Sequence, residues 1–253
     1  MMPSASIRVF KSRDLLELKA AEEIIRIIGI AIKDRGTCSV ALSGGETPRH
    51  IYARLATEPS AKSLNWSNVH LFFGDERPVP PTDPLSNFGM VDRELISHID
   101  IPASNIHRIM GEIRPDDAAR QYTADLKTAF AREDVRFDLF LLGLGEDGHT
   151  ASIFPRTSSV EELHDLVCST YVPQLETWRV SLTLRTINHA RCVLFLVSGA
   201  KKARVLGRVL NAERPIKDLP ATMVAPNNGT LQWMVDADAA ADIMGRQGLN
   251  FSE

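Results

Sequence analysis

The sequence predicts an α/β fold of three layers, α/β/α, around a mostly parallel, doubly wound, Rossmann-like sheet. Three observations predict it. Short apolar runs alternate with amphipathic stretches along the whole chain, the pattern of strand–helix–strand units. Four of those runs are apolar throughout, as strands covered on both faces are. Each of the four then ends in glycine and polar residues: Ser43-Gly-Gly, Gly74-Asp-Glu-Arg, Gly143-Leu-Gly-Glu-Asp-Gly-His and Ser198-Gly-Ala-Lys-Lys. In such sheets ligands lie outside the carboxyl ends of the strands, so these four termini are expected to meet in one crevice. Residues 1–253 are expected to form a single domain.

Taken in order, residues 7–10 read as the first strand. Residues 13–34 read as a helix, because Leu15, Leu18, Ala21, Ile25 and Ile28 recur on one stripe. Residues 38–42 are a second strand. A helix over 48–56 is entered through Thr47 as N-cap, with Pro48 in its first turn. A strand at 69–73 precedes a helix at 86–97, and 115–131 is a helix with proline at its start. Residues 137–142 are a strand. Residues 180–184 alternate with period two, as a half-exposed strand would. A strand at 191–197 leads into a helix at 201–210, a strand at 230–235 closes the sheet, and 237–246 makes a terminal helix.

Composition narrows the function. The apolar fraction of 44% and charged fraction of 24% are those of an ordinary folded protein, which excludes gross disorder. A net charge of −3 argues against a general nucleic-acid binder, yet a local cluster of Arg and Lys is enough to hold a phosphorylated small molecule. Cys38, Cys168 and Cys192 stand singly beside apolar runs, without Cys-x-x-Cys or zinc-ligand spacing, and read as small buried hydrophobes. The first residues show no basic start followed by an apolar stretch, and no apolar run approaches the ~20 residues of a membrane span. A reducing, cytoplasmic setting is expected, with no membrane and no nucleic acid as partner.

Among the motifs, Ser43-Gly44-Gly45-Glu46-Thr47-Pro48 joins a strand to a helix. Its two glycines and the helix start suit an anion, although a plain tight turn accounts for them equally well. It lacks Gly-Lys-Ser/Thr, which disfavours nucleotide hydrolysis. In Gly74-Asp75-Glu76-Arg77 two carboxylates and a guanidinium could bind sugar hydroxyls, a phosphate or a developing charge. A solvated turn is the plainer alternative, and only the position beside the other strand ends favours a site. Gly143-Leu-Gly145-Glu-Asp-Gly148 matches the dinucleotide fingerprint formally, with Glu161 and Glu162 downstream. That match is spurious: Pro155 interrupts the required helix, Asp147 would face a pyrophosphate, and no βαβ unit follows. What remains is Asp147-Gly148-His149-Thr150. A neutral imidazole is a natural base near pH 7, and in an extended stretch Asp147 and His149 would point the same way, letting Asp147 orient the ring. Cations come from Arg179 or Arg185, and from Lys201 or Lys202, with neither pair resolved by pattern.

This set of motifs resembles the 6-phosphogluconolactonase family, which shares its fold with glucosamine-6-phosphate deaminases. The matching blocks are Leu42-Ser-Gly-Gly-Glu-Thr-Pro48, Gly74-Asp-Glu-Arg77, Ser86-Asn87, Gly143-Leu-Gly-Glu-Asp-Gly-His-Thr-Ala-Ser-Ile-Phe-Pro155, Arg179-Val-Ser-Leu-Thr183, Gly199-Ala-Lys-Lys202 and Pro220-Ala221. The resemblance implies a deaminase-like fold and hydrolysis of 6-phospho-D-glucono-1,5-lactone to 6-phospho-D-gluconate in the oxidative pentose phosphate pathway. It implies His149, assisted by Asp147, as the group that activates water. Ser43, Gly44, Gly45, Thr47, Asp75, Arg77, Arg179 and Lys202 then bind substrate or its phosphate, Arg179 and Lys202 being favoured over their neighbours. Neither a cofactor nor a metal is implied. The partner is a phosphosugar lactone, and the expected state is a monomer or weak homodimer.

The deaminase relatives carry Asp-Glu-Tyr instead of Asp75-Glu76-Arg77, and His-Ile-Ala-Phe-Asn-Glu-Pro instead of the block from His149 to Pro155. Here the chain follows the lactonase at both places. One departure lies after Pro78, in a proline-rich loop with Leu85 where a second acid is common. A glucosamine-6-phosphate isomerase/deaminase is the alternative enzyme. A non-catalytic sugar-phosphate sensor is disfavoured, because no helix-turn-helix or basic segment precedes the first strand.

Overall fold

The computed structural model describes residues 5–57, 64–131, 134–244 and 250–252. Its ten strands are β1 (Ser6–Phe10), β2 (Cys38–Leu42), β3 (Val69–Phe73), β4 (Asp75–Glu76), β5 (Ile106–His107), β6 (Leu139–Leu142), β7 (Val167–Val172), β8 (Thr177–Leu182), β9 (Cys192–Val197) and β10 (Thr230–Asp236). Seven of them form one sheet in the order β1-β10-β9-β6-β2-β3-β5, with every pairing parallel. All six residues of β9 and all four of β6 are buried. Successive side chains of a strand point to opposite faces, so both faces of the sheet are covered.

The winding of the sheet positions the site. From β2 the chain moves outward through β3 to β5, then returns to β6 on the other flank of β2 and continues through β9 to β10. The connections leaving β2 and β6 therefore diverge and open a crevice at their carboxyl ends, the switch point of a doubly wound sheet. Packing beneath it is dense. Phe195 and Trp233 stack with centroids 3.8 Å apart, and Phe137 packs edge-on against both Phe72 and Phe140. β4 leaves β3 after Gly74 and pairs with β8, which pairs with β7, in a small antiparallel sheet β4-β8-β7 beside the crevice.

Helices α1 (Arg13–Arg35), α2 (Glu46–Thr57), α3 (Asn87–Glu94), α4 (Pro115–Ala129), α5 (Leu184–Asn188), α6 (Ala203–Leu210) and α7 (Ala241–Met244) flank the sheets. α1 starts where Ser12 Oγ accepts from Leu15 N–H at 3.2 Å and stops at Gly36, whose φ of 82° only glycine adopts without strain. Its buried residues are Leu16, Glu17, Ala20, Ala21, Ile24, Ile27, Ile28 and Ala31. Ala21 and Ile28 of the expected stripe are among them, whereas Leu15, Leu18 and Ile25 sit half-buried at the edge, because α1 is apolar over more than one face and packs against both α2 and β10.

Several local expectations change. Thr47 is no N-cap: Gly45, at φ 109°, makes the turn and its carbonyl accepts from Arg49 N–H at 3.1 Å, so α2 begins at Glu46. The helix expected over 86–97 is capped by Ser86, which accepts from Gly89 N–H at 3.0 Å, and ends at Glu94 before a 3₁₀ turn, Ile96–His98. The helix at 201–210 likewise starts with a 3₁₀ turn, Ala200–Lys202. The strand expected at 180–184 is neither half-exposed nor so placed. β8 begins at Thr177, its residues Val180, Ser181 and Leu182 are buried as the middle of the small sheet, and Thr183 caps α5. At the carboxyl end, Asp236 holds Ala239 N–H at 2.8 Å and delays the terminal helix, so that only Ala241–Met244 is helical; residues 245 and 246 of the expected helix lie outside the described residues.

Candidate active site

The carboxyl ends of β2, β3, β6 and β9 surround a cavity of about 470 Å³. After β2 the chain is clamped by a buried tyrosine: Tyr52 Oη accepts from Ser43 N–H at 3.0 Å and donates to the Ser43 carbonyl at 2.9 Å. Tyr122 holds Phe73 at the end of β3 in the same two-bond manner. These clamps place the Ser43-Gly44-Gly45 turn and the start of α2 against the cavity, where N–H groups and the helix start favour an anion. Gly44 has no room for a side chain, since a Cβ there would lie 1.9 Å from Asn87 Oδ1. Ser43 borders the cavity and is 6% exposed; its Oγ is buried and has no hydrogen-bond partner among the described residues. A buried hydroxyl left so costs about 1–3 kcal/mol, which a ligand acceptor would relieve.

At the end of β3, Asp75 and Glu76 part company. Asp75 borders the cavity; Ser152 Oγ donates to its Oδ2 at 2.6 Å and Asn87 Nδ2 to its Oδ1 at 3.3 Å. Glu76 turns inward, 2% exposed, and accepts from Arg77, Asn87 and Phe88 N–H at 2.8, 2.7 and 2.8 Å and from Ser86 Oγ at 3.1 Å. Burial pushes its carboxyl above the ordinary value against those N–H groups. It thereby organises the start of α3, which carries Asn87 to the cavity. In the proline-rich loop, Asp83 Oδ1 accepts from Leu85 N–H at 2.8 Å, and the guanidinium of Arg77 donates to the Leu85 carbonyl. Leu85 itself is exposed, so the loop is held through the main chain of Leu85 and not through its side chain.

The glycine-rich segment after β6 is a tight turn, so the condition of an extended Asp147–His149 stretch is not met. Gly145 N–H donates to the His149 carbonyl at 2.8 Å and Gly148 N–H to the Gly145 carbonyl at 3.0 Å, with Gly148 at φ 88°. Asp147 and His149 still pair, for a different reason: Asp147 Oδ1 folds back across the turn to accept from His149 N–H at 3.0 Å and from Nδ1 at 2.6 Å. A carboxylate only accepts, so Nδ1 carries the proton, which in the neutral ring leaves the lone pair on Nε2; His149 borders the cavity. Phe154 stacks on the ring at 4.0 Å, and a Cβ on Gly145 would lie 2.1 Å from His149 Nδ1. Burial raises the Asp147 carboxyl, but the hydrogen bonds and charge of His149 outweigh it and hold the group below the usual carboxylate range. Asp147 supports the ring from behind and is not itself a wall of the cavity.

Four cations border the cavity: Arg13, Arg77, Arg179 on β8 and Lys202. Arg13 pairs with Glu17 at 2.8 Å, whereas among the described residues none of the other three has a carboxylate within ion-pair distance. Burial, then the charge of Arg77, pulls Arg179 below its ordinary value, and burial does the same to Lys202 against Glu146 and Asp147. Arg185 bonds the His164 carbonyl instead, and neither it nor Lys201 borders the cavity. The cavity thus gathers Ser43, Gly44, Gly45, Thr47, Asp75, Arg77, His149, Arg179 and Lys202. Pattern reading missed Asn87, Ser152 and Arg13 as cavity residues. The first two stood inside motif blocks, whereas Arg13 is one exposed-looking cation at a helix start with no local mark. Among the described residues no group of three or more His, Cys, Asp or Glu is placed to hold a metal ion, and no helix is long and apolar enough to cross a membrane.

Fold and site together define a class: an α/β protein whose strand ends hold a carboxylate-supported histidine beside an anion cradle. The sequence profile described as glucosamine-6-phosphate isomerases/6-phosphogluconolactonase matches residues 11–233, and the chain belongs to that family. It is 36% identical to the 6-phosphogluconolactonase of Aggregatibacter actinomycetemcomitans over 221 residues, 87% of this chain and 94% of that protein. It is 36% identical to the 6-phosphogluconolactonase of Synechocystis over 247 residues, 96% and 99% of the two chains. Among solved structures, 6-phosphogluconolactonase from Trypanosoma cruzi matches with a TM-score of 0.85 at 28% identity, covering 96% of this chain and 98% of that one.

Proposed function

We propose that this chain hydrolyses 6-phospho-D-glucono-1,5-lactone to 6-phospho-D-gluconate in the oxidative pentose phosphate pathway, with His149 as the base. The observation that carries the reading is His149 itself: Nδ1 is tied to Asp147 at 2.6 Å, and the ring borders a cavity with three cations that lack carboxylate partners within ion-pair distance among the described residues. Arg179, Lys202, Thr47 and the Ser43-Gly44-Gly45 turn hold the phosphate, which fixes C1 of the ring near His149. Asp75, held by Ser152 and Asn87, offers a fixed acceptor to a ring hydroxyl. As water attacks C1, Nε2 takes its proton and the carbonyl electrons move onto the oxygen. Arg77 and the N–H groups of the glycine-rich turns are the candidates for holding that oxyanion. When the intermediate collapses, the bond from C1 to the ring oxygen breaks and the imidazolium returns the proton to that oxygen. The acid formed ionises to the product carboxylate. A positioned base of this kind contributes ~10²–10⁴-fold.

Residues 1–253 are proposed to act as a single domain, in a monomer or weak homodimer. The thiols of Cys38, Cys168 and Cys192 are free, which suits action in the reducing cytoplasm. The test is a coupled assay with freshly prepared lactone, corrected for spontaneous opening. The parent chain should accelerate hydrolysis, and His149→Ala should abolish the acceleration while still binding 6-phosphogluconate. Turnover retained by His149→Ala, or ammonia released by the parent chain from glucosamine 6-phosphate, would refute the reading.

A further inference from the structure

Asp236 ends β10, is 2% exposed, and has no part in the chemistry described so far. A carboxylate so deeply placed needs compensation, and it has donors on both oxygens. Gly199 N–H lies 3.0 and 3.1 Å from the two oxygens, Ala239 N–H lies 2.8 Å from Oδ1, and Ser198 Oγ donates to Oδ2. β10 is the neighbour of β9, so the carboxylate reaches across from one strand end to the turn that leaves the next. That turn runs from the cavity wall at Ser198 to Lys202. Gly199 stands at φ 96°, and its carbonyl accepts from Lys202 N–H at 3.0 Å. Hydrogen bonds thus lead from a buried carboxylate through one constrained glycine to the backbone of the lysine.

We propose that Asp236 is a positioning residue for the anion cradle: by locking the Ser198-Gly199 turn it holds Lys202 at the cavity and so sets affinity for the phosphate of the substrate. Lys202 is half-buried, and the carboxylates that act on it, Glu146 and Asp147, stand beyond ion-pair distance, so its backbone carries much of the aim of the side chain. An ammonium acts as a point charge whose pull depends on where it stands, and a loosened turn would spread it over several positions. Asn at 236 keeps the shape but removes the charge and leaves one acceptor oxygen for the Gly199 and Ala239 N–H groups. The inference rests on Lys202 as a phosphate ligand, and its test separates the two claims.

The experiment is a double-mutant cycle on the full chain, read as the dissociation constant for 6-phosphogluconate by calorimetry and as KM and kcat with the lactone. Expected is a loss of affinity of about tenfold in Asp236→Asn, the size of one net charge-assisted hydrogen bond, with KM rising in step and kcat within about threefold. Lys202→Ala should weaken binding at least as much, and the double variant should match Lys202→Ala within about twofold, because a residue acting through Lys202 has nothing left to act on. Effects that add independently, or an equal loss of kcat with binding intact, overturn the positioning role and leave the cradle standing. Unchanged binding in Lys202→Ala removes the cradle reading and this inference with it. Should Asp236→Asn fail to fold, Ser198→Ala, which deletes one donor and keeps the carboxylate, carries the same cycle; its loss of affinity must be smaller and absorbed in the same way, and any other result overturns the proposal.

Discussion

Replacing Asp147 by alanine removes the acceptor of the Nδ1 proton of His149 and of the His149 N–H, bonds of 2.6 and 3.0 Å. The ring then loses both its tautomer preference and the charge that stabilises the imidazolium formed during proton transfer. Hydrogen bonds to charged groups contribute about 1.5–3 kcal/mol. The Asp147 side chain is 44% exposed, so solvent screens the pair and the lower half of that range applies. About 1.5–2 kcal/mol corresponds to roughly a 10–30-fold fall in kcat. Since Asp147 does not border the cavity, KM should move by less than about threefold. The assay is steady-state turnover of fresh lactone, corrected for spontaneous hydrolysis, with the variant's thermal unfolding measured in parallel. A kcat within about threefold of the parent, or a fall in kcat/KM carried by KM alone, would refute the role of Asp147. The pH behaviour adds a check. The folded carboxyl lies below its ordinary value, so its support is present above that value and is lost only as pH falls through the depressed one.

Arg179→Ala should raise KM for the phosphorylated lactone about tenfold or more and change kcat little, which the same turnover assay reads. Gly44→Ala forces a methyl into Asn87 Oδ1 and should lower stability by about 1–3 kcal/mol, seen as a lower urea midpoint, with weakened 6-phosphogluconate binding. His107, stacked on Phe72 at 4.3 Å with its Nε2 3.2 Å from His70 Nδ1, is pushed from 6.5 down to about 4 by burial and then by His70. Between those values the unfolded chain binds more protons, so stability should fall as pH drops from 6.5 towards 4. Urea unfolding at pH 7 and pH 5 should show that loss, and His107→Gln should make it shallower; equal slopes would count against it.

Sequence alone went far where the signal is local. β2 and β3 begin and end at the residues pattern reading assigns, Cys38–Leu42 and Val69–Phe73, because each is a dense apolar run bounded by glycine or polar residues. The meeting of four strand ends followed from their shared apolar-then-glycine pattern, since winding a parallel sheet in two directions leaves one place for a ligand. Strands β4 and β5, two residues each, carry no periodicity of their own and exist because a neighbouring strand supplies their hydrogen bonds. Val180, Ser181 and Leu182 of β8 are buried where their alternation suggested half-exposure, because β8 became the middle strand of the small sheet. The same division runs through the site. Residue types were legible: a histidine among glycines, an acid beside it, arginines and lysines at strand ends. Apart from the pairing of Asp147 with His149 two residues on, their relations were not. That Ser152 and Asn87 converge on Asp75 from 77 and 12 residues away, and that Asp236 reaches Gly199 across two strand ends, are long-range facts. Periodicity in a sequence encodes which face a residue presents to its near neighbours. Which distant residue meets that face is decided only when the sheet has wound and closed.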